Sequence, residues 1–239
     1  ILNIIAPIGI SYFVFKTLTY IFGIYREDIE IPEKNYFNYV LYVSFFPNIL
    51  AGPISKASDL LVQFRENITM DEKHIGQGFF LIICGAFKKI FIADFLAGNF
   101  VDRVFDAPEY FSGFESFMAS YGYTIQLYFD FSGYTDIVIG IACLLGFSIL
   151  PNFNKPFNAV NVTDFWRRWH LTLSAWLRDY LFTPLSLNFR GMGNFGAILA
   201  VMITFIVCGF WHGASLTFIL WGALHGLAMA WDIITNKVR

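Results

Sequence analysis

Asp164-Phe165-Trp166-Arg167-Arg168-Trp169-His170, then Trp176-Leu177-Arg178-Asp179-Tyr180, and finally Trp211-His212-Gly213 mark out residues 164–213 of the chain. Arginine and tryptophan crowd its first part, and an apolar run without charge, residues 195–210, leads into its closing histidine. Thr163 stands where an N-cap would, Asp164 in the first turn suits the helix dipole, and Pro184 is expected to stop the helix near residues 181–183. At helical spacing Trp166, Trp169, His170, Leu173 and Leu177 share one face. Asp164, Arg168, Ala175 and Asp179 lie on the other, with Asp164 and Arg168 at i, i+4 for an ion pair. Arg167, Ser174 and Arg178 form a flank. Such a helix is too charged to span lipid and should lie in the interface or line a cavity. His170, on the aromatic face, must have its polar ring atoms satisfied there.

The rest reads as membrane scaffold. Only 14% of residues are charged and 56% are hydrophobic, against about 25% charged in an ordinary soluble domain, and mean hydropathy is +0.56. Aromatics reach 20% with 29 phenylalanines, which suits lipid-facing surfaces and interfacial belts. A net charge of −2 with no basic tail excludes a nucleic-acid partner. Cys84, Cys143 and Cys208 sit inside apolar runs without metal-type spacing, so neither a disulfide framework nor a metal site is expected.

A span needs roughly 20 apolar residues. Residues 4–25 qualify, with Lys16 the only charge and a kink expected at Asn3 and Pro7. Residues 26–35 read as a loop, and residues 36–51, interrupted by Pro47, as a re-entrant or broken helix. Residues 55–74 read as interfacial. Residues 76–97 form the next span, with Lys88 and Lys89 snorkelling to the headgroups, followed by a polar loop over 99–112. Residues 117–150 read as two apolar runs joined by a polar stretch carrying Asp130 and Asp136. Carboxylates at that depth should face a bundle interior, a cavity or partners of their own. Pro151 and Pro156 open an extended linker. Residues 195–210 and 216–231 are two further spans, with a break at residues 211–215. Five basic residues against two acids between Pro151 and Arg190 put that segment on the cytoplasmic side. Because the chain starts at Ile1 inside an apolar segment, it is expected to be an internal piece of a longer polytopic protein.

Histidine is the side chain best suited to moving protons near neutral pH. His74 lies in a polar loop and reads as solvated surface. His225, between Gly222 and Gly226 in an apolar helix, reads as a hydrogen-bonded structural residue at a close helix contact. His212 stands at a helix break, where the backbone can approach a ligand and the imidazole can face a cavity.

These motifs resemble the membrane-bound O-acyltransferase family, in particular its bacterial alginate O-acetyltransferase-type branch. Phe45-Phe46-Pro47, Ala51-Gly52-Pro53-Ile54, residues 126–134 and Pro151-Asn152-Phe153 match the same branch, in the same order. The resemblance implies an all-α polytopic membrane protein, a helical bundle around a central tunnel with re-entrant and interfacial amphipathic helices. Residues 1–239 would be one such membrane domain lacking its first and last helices. It also implies an acyl, most simply acetyl, transfer from a thioester donor on the cytoplasmic side (acetyl-CoA or an acyl-carrier protein) to hydroxyls of an exported polysaccharide. His212 matches the family's catalytic residue and His170 its second active-site position. Trp166, Arg167, Trp169, Arg178, Trp211, Gly213, Asp130, Asp136 and His225 are the candidates for lining or supporting the tunnel, with Arg167 or Arg178 facing donor phosphates. No permanently bound cofactor is implied. The partners would be the lipid bilayer, the polysaccharide or a periplasmic acetyl-transferring protein, and a cytoplasmic donor protein, in a bacterial inner membrane. After Pro184 the branch's Gly-Gly-Asn-Arg-like turn is replaced by Leu185-Ser186-Leu187-Asn188-Phe189-Arg190, which leaves the acceptor open. D-alanyl transfer to teichoic acid is the rival within the enzyme class. Outside it stand a transporter relaying protons through Asp130, Asp136 and His212, which should show internal symmetry that this chain lacks, and an inactive scaffold.

Overall fold

In a computed structural model the chain is all-α; the structure describes residues 9–66, 68 and 71–235. Among these there is no β-strand, only an isolated antiparallel bridge between Phe153 and Trp169. The chain packs as two compact units that divide between Pro151 and Asn152. Among the described residues, three helices are long and apolar enough to cross a membrane: Gly113–Leu144, Arg190–His212 and Leu216–Thr235.

The first unit opens with α1 (Ile10–Tyr25), an apolar helix; the kink expected at Asn3 and Pro7 lies outside the described residues. Lys16 is fully buried, its Nζ donating to Asn48 Oδ1 at 3.0 Å beside the Tyr42 ring. Asn48 belongs to the broken segment anticipated from Pro47. There α2 (Tyr36–Ser44) stops and a single 3₁₀ turn, Phe46–Asn48, follows. Asn48 Nδ2 donates to the Pro53 carbonyl and to Ser55 Oγ, so a side chain satisfies backbone that no helix ladder can. The break also turns Phe45 inward. It packs with Phe64 and Phe147 at ring separations of 5.7 and 5.3 Å, over Leu60 and Leu61 of α3 (Ala57–Arg65).

Asp71 caps α4 (Glu72–Ala86), accepting from the His74 N–H at 2.8 Å. The polar loop expected from residue 99 begins later. The helix runs on through two widened, π-type stretches, Phe87–Asp94 and Ala97–Val101, into α5 (Asp102–Asp106). Asn99, which suggested a loop, instead bonds back to the Phe95 carbonyl inside the widened wall. The two runs expected across residues 117–150 are likewise one uninterrupted helix, α6 (Gly113–Leu144), started by a capping box between Ser112 and Glu115. Its 32 residues reach about 48 Å at 1.5 Å per residue.

Asp130 and Asp136 therefore sit within a regular helix, and each has a partner. Lys88 Nζ lies 2.6 Å from Asp136, and Lys89 Nζ lies 2.5 Å from Asp130 and 2.7 Å from Asp94. Both lysines are paired with carboxylates. Glycine explains why: Gly85 faces the backbone of Gly133 and Gly78 that of Gly140, with no room for a Cβ. The antiparallel helices touch backbone to backbone, and a turn past Gly85 the lysines reach carboxylates of the facing helix. Asp136→Leu alone is expected to cost about 1–3 kcal/mol by stranding Lys88. Lys88→Met combined with Asp136→Leu should recover most of that loss. Melting temperatures in detergent for the two singles and the double measure it; additive losses would mean the pair is not coupled.

In the second unit the single helix expected from Thr163 to about residue 183 is broken once, between α7 (Val162–Trp166) and α8 (Leu171–Leu177), which runs on through a widened stretch into α9 (Thr183–Asn188). The N-cap is Asn161, whose Oδ1 accepts from the Asp164 N–H at 2.7 Å. Thr163 is drawn off by a tertiary partner, donating its N–H and Oγ1 to Asp232 Oδ2 at 2.8 and 2.9 Å and so tying α7 to α11 (Leu216–Thr235). The Asp164–Arg168 pair forms as expected, at 2.9 Å. Pro184 does not end the helix. The π-type turn Arg178–Phe182 lets the Thr183 N–H reach back to the Arg178 carbonyl, so the proline enters in the first turn of α9 without breaking a bond. The α10 helix (Gly193–His212) and α11 fall where hydropathy placed the last two spans.

Candidate active site

The site is built on the α10–α11 hairpin. Gly209 lies against the Phe218 carbonyl and Gly222 against the Phe205 carbonyl, so the two backbones are in direct contact. The chain leaves α10 through extended Gly213 and re-enters helix at Leu216. That break makes His212 the last residue of an apolar span, where no following turn covers its ring. The imidazole is flanked by Trp211 at 4.7 Å, Trp221 at 5.1 Å and Phe218 at 6.1 Å between ring centres, yet it stays exposed.

Trp221 also meets His225 at 4.5 Å, and His225 meets Trp166 at 5.1 Å. Residues far apart in sequence thus join one aromatic wall. The glycines beside His225 do pack closely, Gly222 against Phe205 and Gly226 against Met202. The hydrogen bond expected for His225 is absent among the described residues: rings surround it on the helix side, and the rest of it faces an open groove of about 550 Å³. Phe157, Val160, Phe165 and Leu224 form other walls of this groove, which reaches neither His170 nor His212.

His170 occupies the gap between α7 and α8 and is the reason for the gap. Its backbone is left-handed, φ 44° and ψ 54°, and only 5% of its surface is exposed. For a residue other than glycine this conformation costs about 1–3 kcal/mol and persists only where surrounding structure imposes it. Segment 152–154 imposes it. The Asn154 N–H donates to the Arg168 carbonyl and the Leu171 N–H to the Asn152 carbonyl, both at 2.9 Å, and the Phe153 and Trp169 rings meet edge-on at 5.0 Å. The Asn152 side chain adds a clamp, Oδ1 accepting from Thr172 Oγ1 at 2.6 Å and from the Thr172 N–H at 3.4 Å. Burial holds His170 well below the usual histidine range, and His212 lies near enough to push it further down. His170 is therefore a neutral imidazole at physiological pH.

The end of α7 at Trp166 also corrects the expected common face. Trp166 points into the α10–α11 cluster, touching Phe205 and Trp221. Trp169 turns to stack on Phe165 and meet Phe153. Because α7 ends at Trp166 and Trp169 is drawn into the bridge with Phe153, two side chains that an unbroken helix would have aligned have different neighbours. Trp211 and Gly213 adjoin His212, Arg178 is held by Asp179 at 2.9 Å, and Arg167 is exposed. Asp130 and Asp136 lie in the first unit with their lysines. Sequence reasoning passed over Asn152, Thr172, Trp221 and Asp232. Asn152 was visible in Pro151-Asn152-Phe153, and Trp221 stands four residues before His225 on the same helix face.

An all-helical chain with several helices long and apolar enough to cross a membrane is a polytopic membrane protein, and here an exposed histidine ends one of those helices with a buried histidine near it. The model of the membrane-bound O-acyltransferase family matches residues 11–236, and the chain belongs to that family. It is 41% identical over 238 residues to the probable alginate O-acetylase AlgI of Azotobacter vinelandii, covering 99% of this chain and 46% of that protein. Identity is 37% over 254 residues with the peptidoglycan O-acetyltransferase of Helicobacter pylori, at 96% and 48% coverage. With the teichoic acid D-alanyltransferase of Bacillus subtilis it is 31% over 242 residues, at 95% and 59%. The chain spans about half the length of the first of these relatives.

Proposed function

We propose that the protein is a membrane O-acyltransferase of a bacterial inner membrane. It moves an acetyl group from a thioester supplied on the cytoplasmic side to hydroxyls of an exported polysaccharide, through a tunnel between its helices. The observation that carries this reading is the open imidazole of His212 at the end of an apolar span, with neutral His170 near it. Relatives named for alginate and peptidoglycan O-acetylation support the acyl group and the class of acceptor.

In the proposed reaction His212 takes the proton from the acceptor hydroxyl as its oxygen attacks the thioester carbonyl. The C–O bond forms, the C–S bond breaks, and the thiolate leaves, taking up the proton that His212 received. The products are an ester and a free thiol, and His212 returns to its neutral form. His170, unable to charge, serves as a hydrogen-bonding group that orients donor or acceptor. The basic residues between Pro151 and Arg190 support a cytoplasmic position for that segment, on the donor's side.

The test is the O-acetyl content of surface polysaccharide in cells making the whole protein, wild type against His212→Ala, at matched membrane levels. Loss of acetyl esters supports the reading, and unchanged acetylation rejects His212 as the base. D-alanyl esters on teichoic acid, lost in their place, would identify the rival acyl group.

A further inference from the structure

We propose that Asn152 is the positioning residue of this centre: it holds His170 in its left-handed conformation and so fixes the direction in which the imidazole is presented to the reacting groups. The inference rests on the reading of His170 and His212 as that centre.

Asn152 is completely buried, and it holds the first two residues after the break with different atoms, while Asn154 binds the Arg168 carbonyl before it. Its carbonyl receives the Leu171 N–H, the first backbone donor after His170. Its Oδ1 receives the hydroxyl and the N–H of Thr172, one residue further. These are N–H groups that a helix start leaves without partners, and an N-cap residue normally satisfies one of them locally. At α8 the N-cap is His170 itself, which makes no side-chain capping bond. The cap is supplied by a residue 18 positions earlier in the sequence.

The amide orientation follows from its neighbours, because the Thr172 N–H can only donate and so selects Oδ1. Asn152 Nδ2 is left buried with no hydrogen-bond partner. An amide with half its bonding capacity unused is an expensive choice for a purely structural cap, since a serine or threonine could receive the same donors. Carbonyl, side chain and the Phe153–Trp169 bridge together over-determine the torsions of one residue, and that residue is a buried histidine. Without the Oδ1 clamp, Thr172 loses its acceptor, the first turn of α8 frays and residue 170 can relax toward right-handed torsions. The imidazole would then swing away, and misplacement by about 1 Å can cost about 10²-fold in rate.

The experiment compares wild type, Asn152→Ala, Asn152→Asp and His212→Ala in membranes from cells making the whole protein. Three quantities are read: O-acetyl content of the polysaccharide, diethylpyrocarbonate modification of His170 mapped by mass spectrometry, and maleimide labelling of buried Cys208. Asn152→Ala is expected to lower acetylation about 10²-fold and unmask His170 while Cys208 stays protected. Asn152→Asp keeps an acceptor for Thr172 and should restore most of the activity and the protection. Acetylation by Asn152→Ala within about twofold of wild type overturns the proposal. So does a loss accompanied by Cys208 labelling, which marks general loosening, and so does an Asp variant no better than Ala. Undiminished acetylation by His212→Ala instead overturns the reading of the centre, whatever the Asn152 variants do.

Discussion

His212→Ala is expected to lower acyl transfer by about 10²–10⁴-fold, the usual contribution of a positioned general base, with little change in protein level. The stability effect is small because the ring is exposed at the end of α10 and no helix turn is built on it. His212→Asn should be as inactive as His212→Ala. It keeps a planar polar group between Trp211 and Trp221 but offers no nitrogen that titrates near neutrality. Free imidazole should restore part of the activity of the alanine variant, because the vacated position is open and walled by the Trp221 ring, which is set edge-on to the histidine it would replace. The assay is O-acetyl release from purified polysaccharide after growth with and without imidazole. Full activity in His212→Asn would remove the proton-transfer role, leaving His212 at most a wall of the site.

Gly222→Leu should abolish the folded protein rather than its chemistry. A Cβ at residue 222 meets the Phe205 carbonyl group, with the carbonyl carbon 3.0 Å away, and the Ile206 Cα at 3.3 Å. These are backbone atoms of a regular helix, so no rotamer change relieves the clash and α10 must separate from α11. Overpacking usually costs about 1–3 kcal/mol, and separating two helix backbones strips further contacts along the hairpin. The cost is therefore expected to exceed that range, and the variant should vanish from membranes or melt well below wild type in detergent. Gly191→Ala is the control, since its Cβ position has nothing within 4 Å. Normal levels and melting for Gly222→Leu would mean the hairpin contact is looser than described here. The same contact brings Trp221 and His225 onto the His212 and Trp166 rings, so the glycine spacing of α11 also sets the aromatic wall of the site.

Local sequence was enough for every feature that depends on neighbours in the chain. Composition and the length of apolar runs determined a helical membrane protein, the last two spans and the break at Gly213, because lipid forces backbone groups to pair within their own segment. Pro47 determined the broken helix after α2. The i, i+4 spacing determined the Asp164–Arg168 pair. Where local propensity competed with a distant partner, the tertiary structure decided. Lys88 and Lys89 pair across α4 and α6 because glycines bring the helices within reach, not because of anything in their own segment. Thr163 yields the N-cap to Asn161 because Asp232, 69 residues away, claims it. Above all, the helix drawn through Trp166, Trp169 and His170 has good periodicity and does not exist. Segment 152–154 pairs with its middle and turns His170 left-handed. Periodicity records which side chains an ideal helix would align. It holds no record of a second strand of chain supplying hydrogen bonds that make a break cheaper than continuity, and that exchange put the second histidine of the site in its place.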